Sequence, residues 1–198
     1  MRKFRNLPKS KNTEISKDFG NLLKMNDDCS PDECRWVAVT VFDHWLHTSN
    51  SFDRIESASD SDKELWGSRI NNFLRQLVEV ETPTCYKEIG KWSKRKLQFR
   101  EYIGFKPMSE YITDLFKETY SPQLAFVEHR FHVWFQDYWV IYLIYKDAEL
   151  LDEVFDIAAE NDLFFLPVYS IGHLNQYYEI EDKLKSKGLN KAMHAINA

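Results

Sequence analysis

Among the histidines of this 198-residue chain, His129 and His132 stand closest to a chemical pattern. Both fall in the segment LAFVEHRFHVWF, residues 124–135, beside Glu128 and Arg130. An imidazole next to a carboxylate is a proton carrier, because the negative charge favours the imidazolium form. On one alternating strand, His129 shares an apolar face with Ala125, Val127, Phe131 and Val133, where a buried ring needs a hydrogen-bond partner. His132 falls on the opposite face with Glu128, Trp134 and Trp139. Glu128, His129 and His132 are therefore the candidate pocket. The plainer alternatives are a neutral core histidine at 129 and cross-strand structural pairing at 132.

Metal-ligand patterns are weaker. Cys29, Cys34, His44 and His47 resemble a finger-type set, but the spacing CRWVAVTVFDHW reads as one helix. Ten residues at 1.5 Å rise would then separate Cys34 from His44 by roughly 15 Å, too far to share an ion. Asp43, His44 and His47 would share a helix face, yet no third ligand accompanies the two histidines. No Gly-rich phosphate loop, G-x-S-x-G elbow or H-E-x-x-H pair is present. No metal and no cofactor are expected. Three cysteines form no disulfide framework and read as free thiols.

Charge is more organised than these residues are. The net charge is −5, but Arg2, Lys3, Arg5, Lys9, Lys11 and Lys17 oppose only Glu14 near the N-terminus. A second basic cluster, Lys91, Lys94, Arg95, Lys96 and Arg100, surrounds Trp92 and could meet phosphates. The segment Asp147 to Asn161 reads as a helix carrying Glu149, Asp152, Glu153, Asp156 and Glu160 with no Lys or Arg. Exposed helices commonly balance carboxylates with bases three or four residues away. An unbalanced stripe would steer a basic partner.

The elements that must position these residues follow from periodicity and punctuation. Residues 1–28 read as a partly ordered basic arm, with at most a short helix at Asp18 to Met25. Residues 29–122 read as mainly helical. Ser30-Pro31-Asp32-Glu33 starts a helix bearing Cys34, Val37, Ala38, Val41, Phe42 and Trp45. A second helix begins near Ser61 with Glu64 and ends before Thr82-Pro83. Residues 85–105 are expected to be mainly helical, and Pro107 to Tyr120 forms another helix. Residues 123–198 read as an α+β region, continuous with the helical one. In it, a hairpin turning at Gln136-Asp137 pairs His129 with Ile144, Phe131 with Tyr142 and Val133 with Val140. The acidic helix follows, then a strand at Phe164 to Tyr169 whose Pro167 suggests an edge, then a helix at Leu174 to Lys187 stopped by Gly188.

The expected fold is α+β, with N-terminal helices packed on a C-terminal β-hairpin, helix, strand and helix unit. Hydrophobic residues at 43% and aromatics at 15% supply a dense core and exclude a disordered chain. The longest apolar run, Trp139 to Tyr145, falls far short of the roughly 20 residues of a membrane span. The N-terminus lacks the apolar core of a secretory signal, so a cytoplasmic location is expected. Organised charge without a catalytic signature favours a non-enzymatic binding or regulatory protein, an inhibitor of a basic macromolecular partner. The alternatives are a nucleic-acid-associated protein using the arm and residues 91–100, and an enzyme with a histidine site near the hairpin.

Overall fold

The computed structural model describes residues 3–19, 35–46, 52–90, 96–104, 123–136, 139–168 and 174–193. In chain order the elements are β1 (Phe4–Asn6), α1 (Lys9–Phe19), β2 (Arg35–Thr40), α2 (Asp53–Glu56), α3 (Asp60–Val80), β3 (Thr84–Ile89) and β4 (Lys96–Tyr102). There follow β5 (Gln123–Phe126), β6 (Phe131–Gln136), β7 (Val140–Tyr145), a 3-10 turn (Ala148–Leu151) leading into α4 (Asp152–Glu160), β8 (Phe164–Pro167), α5 (Leu174–Ser186) and a second 3-10 turn (Asn190–Ala192). The chain is mixed α+β. Its eight strands form one sheet in the order β1-β4-β3-β5-β6-β7-β2-β8, every neighbouring pair antiparallel. Among the described residues no helix is long and apolar enough to cross a membrane.

Alternation along the strands divides the core in two. On one side Val37, Val39, Phe131, Val133, Leu143, Tyr145 and Phe165 pack with apolar stripes of α3, α4 and α5, including Ile70, Phe73, Leu77, Val154, Phe155, Ile180 and Leu184. On the other, Trp36, Ala38, Phe99, Ile144 and Leu166 gather with Leu7, Ile15 and Phe19 from the N-terminal segment.

Three expectations are overturned. Residues 35–40 are a strand, not a helix, and the chain from Val41 to Leu46 is irregular. β2 is buried on both faces, so its apolar run WVAV lacks alternation and mimics a helical pattern, while Val37, Val39 and Thr40 favour extended backbone. Residues 84–89 and 96–102 are likewise strands, paired from Cys85↔Arg100 to Ile89↔Lys96. The N-terminal arm is also structured over residues 3–19. β1 pairs with β4, α1 starts well before Asp18, and Leu7, Ile15 and Phe19 are buried. The helix expectations for Ser30-Pro31 and for 107–120 lie outside the described residues.

The hairpin differs in register. The single strand expected over 124–135 is broken by a turn at 127–130, where Arg130 adopts φ 53°. β6 pairs with β7 through Phe131↔Tyr145, Val133↔Leu143 and Phe135↔Ile141, three residues away from the expected pairing. Trp139, the residue before β7, takes φ 67°. Left-handed backbone costs a bulky residue roughly 1–3 kcal/mol. The slip puts Ile141, Leu143 and Tyr145 beneath the helices in place of Val140, Tyr142 and Ile144.

Punctuated elements fall where expected or close by. α3 begins two residues earlier than read: Ser59 Oγ accepts the Asp62 N–H at 3.2 Å, and Asp62 accepts the Ser59 N–H at 3.1 Å. Gly188 sits at φ 72° after α5, with Leu189 N–H donating to Leu184 O at 2.8 Å and Gly188 N–H to Lys185 O at 3.0 Å. β8 is an edge strand, as Pro167 implies. Its carbonyls accept side-chain donors, Trp45 Nε1–H to Pro167 O at 2.6 Å and Tyr177 O–H to Phe165 O at 2.9 Å.

Deletion of residues 1–19 is expected to destabilise the protein severely. Burial of Leu7, Ile15 and Phe19 is worth about 1.5–3 kcal/mol each. A loss of that size lowers the melting temperature of a chain this long by about 10 °C or more. An unchanged melting temperature would show that the segment does not pack.

Candidate functional site

The acidic segment is built as expected at its start, where Asp147 Oδ1 accepts the Glu149 N–H at 3.0 Å. Three of the five carboxylates of the stripe, Glu149, Asp152 and Asp156, meet lysines. Lys183 of α5 pairs with Glu149 and lies 3.9 Å from Asp152, and Lys187 reaches Asp156 at 3.0 Å. His129 Nε2 stands 3.9 Å from Glu153, and Gln76 donates to Glu160 at 3.5 Å. The bases missing from the helix itself come from a neighbouring element. The hydrogen bond to Glu149 raises the Lys183 pKa above its ordinary value. Pairs this exposed are weak, because solvent screens them. Lys183 and Lys187, four apart, complement Glu149, Asp152 and Asp156, and that matched spacing was a readable signal of two helices side by side.

At the beginning of this segment the start of β2, residues 147–149 and α5 line a cleft of about 500 Å³. Asp147, Glu149, Glu179 and Asp182 line it against Arg35 and Lys183, four carboxylates to two cations. Arg35 pairs with Glu179 at 2.8 Å. Asp147 and Asp182 have no cation within 4 Å among the described residues. Directly across the ladder from Arg35 is Tyr145, fully buried, whose hydroxyl has no hydrogen-bond partner. Burial, and then the negative charge of Glu179, pushes its pKa up. Arg35, Glu179 and Asp182 were not candidates from sequence, because only the β2–β7 pairing and the docking of α5 bring them together.

The structure separates the histidines. Glu128 is exposed in the turn and His129 is half-buried beside it. The buried Glu81 carboxylate, at the end of α3, accepts the Glu128 N–H at 3.0 Å, the His129 N–H at 3.1 Å and a hydrogen bond from His129 Nδ1 at 2.9 Å. His132 lies on the opposite side of the sheet, fully buried, with Nε2 3.5 Å from the Tyr86 hydroxyl and Nδ1 unpartnered. Burial pushes its pKa down to about 3. Glu128, His129 and His132 therefore form no common pocket, and His129 belongs to a turn rather than to an apolar strand face. Glu81 was missed because nothing local marks it as the partner of a turn 47 residues away.

Asp43 and His44 lie in irregular chain, linked at 2.8 Å, so the shared helix face does not exist; His47 lies outside the described residues. Among the described residues no three His, Cys, Asp or Glu side chains cluster to hold a metal. Cys85 is a buried free thiol whose pKa burial raises to about 11. Of the basic cluster, Lys96 is exposed on β4, whereas the Arg100 guanidinium lies 4.7 Å over the Phe4 ring. Lys91, Lys94 and Arg95 lie outside the described residues.

Two measurements check this arrangement. Glu81→Ala leaves two turn amides without their acceptor and should cost about 3 kcal/mol in urea unfolding, since each unsatisfied buried donor costs about 1–3 kcal/mol; a loss below about 0.5 kcal/mol would contradict the turn's dependence on Glu81. His132 gives a pH signature. Below its ordinary pKa of about 6.5 the unfolded chain takes up a proton that the folded chain refuses until about pH 3. Stability therefore falls with pH in that window, by up to about 1.4 kcal/mol per unit from this group. Between about pH 7 and pH 4.5, His132→Leu should gain about 2–3 kcal/mol relative to the native protein. A pH-independent difference would show that the ring is not held neutral. Comparison of the chain with protein-family models, with curated proteins and with solved structures finds no match.

Proposed function

We propose that this chain is a non-enzymatic binding protein, acting in the cytoplasm as an inhibitor or regulator of a basic macromolecular partner, and that a lysine or arginine side chain of that partner enters the cleft beside α5. The observation that carries this reading is the pair Asp147 and Asp182, the two cleft carboxylates with no cation within 4 Å among the described residues. The ladder of ion pairs along α4 supports a role for Glu149, Asp152 and Asp156 in holding α5 against α4. Binding is favoured over catalysis because each candidate histidine is held by a structural neighbour, His129 by Glu81 and His132 beneath the sheet near Tyr86. A cationic group entering the cleft would gain two carboxylates while Arg35 and Lys183 stay engaged.

Titration of isotope-labelled protein with hexa-arginine and hexa-lysine peptides tests this. Amide shifts are expected at Asp147, Glu179 and Asp182, with affinity falling steeply as salt rises. Asp147→Asn combined with Asp182→Asn should weaken binding by roughly ten-fold, the equivalent of about 1.4 kcal/mol. Equal binding by the doubly substituted protein, or shifts centred elsewhere, would remove the cleft from the interaction.

A further inference from the structure

The exposed side of α3 carries a second concavity that the reading above does not use. It is a groove of about 660 Å³, walled on one side by Trp139 and along the helix by Lys63, Ser68, Asn71, Asn72 and Arg75. None of these five polar side chains has a hydrogen bond or ion pair among the described residues. The Asn71 carboxamide oxygen is shielded from water and still has no partner. Such groups are uncommon, because a buried acceptor ordinarily finds a donor.

Trp139 marks the same place independently. Residue 139 stands in left-handed backbone, φ 67°, where Gly or Asn is the unstrained choice. A tryptophan stands there instead. Its ring packs at 5.9 Å and 69° against Trp66 and lies close over the helix at Gly67, where a Cβ would meet it at 3.6 Å in ordinary van der Waals contact. The indole is thereby fixed with part of its surface facing the groove. Unfavourable backbone retained beside a concavity points to a use for the side chain it presents.

The lining selects the chemistry of an occupant. Asp60 and Glu64 balance Lys63 and Arg75, so the groove has no net charge with which to select an ion. Trp139 is its one large apolar surface, too little for an apolar ligand. A neutral molecule with one apolar face and many hydroxyls fits both halves: its C–H face lies on the indole, and its hydroxyls donate to and accept from Ser68 and Asn72 and accept from the Asn71 amide N–H. We propose that this groove binds a pyranose sugar unit, stacked on Trp139 and hydrogen-bonded by the amides of α3. A nucleotide shares the planar face, but its phosphate would need the net positive lining that the groove lacks.

The test is a titration of the full chain with D-glucose, D-galactose, D-mannose and N-acetyl-D-glucosamine, with adenosine as a fifth probe. The resonance followed is the Trp139 indole N–H, assigned with Trp139→Phe. At least one sugar should shift this resonance and the Asn71 and Asn72 side-chain amides, with a dissociation constant of about 1 mM, as suits a ligand this small. Asn72→Ala, on an exposed position that leaves the fold intact, should weaken binding roughly three- to ten-fold. Trp139→Gly, which relieves the backbone while removing the ring, should abolish it. Asp147→Asn with Asp182→Asn should leave it unchanged, which separates this site from the cleft. The proposal is overturned if no sugar moves the indole at about 100 mM, a hundred times the expected constant. It is equally overturned if adenosine alone does so, or if Asn72→Ala and Trp139→Gly both bind as the native chain does.

Discussion

The Glu81 carboxylate is the point at which the helical layer and the sheet are made to agree. It ends the longest helix, where a negative charge opposes the helix dipole, and it is almost withdrawn from water. Two backbone amides and an imidazole of the turn between β5 and β6 compensate it. Those bonds fold residues 127–130 back on themselves with no glycine, proline or asparagine in the turn. The stacked rings of Phe126 and Phe131, 4.4 Å apart, close it from the core side. Every strand partner of β6 then follows, and through β7 the placement of β2 at the interior of the sheet.

The ionic contacts between α4 and α5 act at another level. They are exposed and individually weak, whereas the burial of Val154, Phe155, Ile180 and Leu184 holds the two helices to the sheet. What the charges add is register. Lys183 and Lys187 meet carboxylates one helical turn apart on α4, so sliding one helix along the other would bring like charges together. The same pairing leaves Asp147 and Asp182 as the acidic remainder at one end. The division between structural charge and available charge is thus set by where the lysines of α5 fall.

Sequence reading succeeded where local chemistry decides the structure. α3 has a capping box and a broad apolar stripe, α5 has Gly188 at the position that demands positive φ, and Pro167 marks an edge. It failed where the deciding partner is remote. Trp36 to Val39 are apolar on both faces, so no period separates strand from helix until neighbours on both sides are known. Cys85 to Ile89 and Lys96 to Tyr102 alternate too loosely to be read alone. The turn at 127–130 takes its acceptor from residue 81, and the hairpin register depends on a tryptophan in a conformation that residue type rarely adopts. The acidic stripe was visible as residues, but the lysines that pair with part of it lie on a separate element and were not read as its partners. The cleft was invisible because its lining comes from three separated segments.

The two carbonyl caps on β8 bear on how the molecule behaves among copies of itself. An edge strand is a template on which a foreign strand can add, and eight strands already form a wide platform for such growth. Phe165 and Pro167 offer no free carbonyl there, since a tyrosine hydroxyl and an indole N–H occupy them, and the proline has no amide to give. Growth of fibrils from this edge would first require unseating Tyr177 from α5 and Trp45 from its loop. The barrier to polymerisation at β8 is therefore coupled to local unfolding of its covering elements, so conditions that loosen α5 would expose this edge before they melt the sheet.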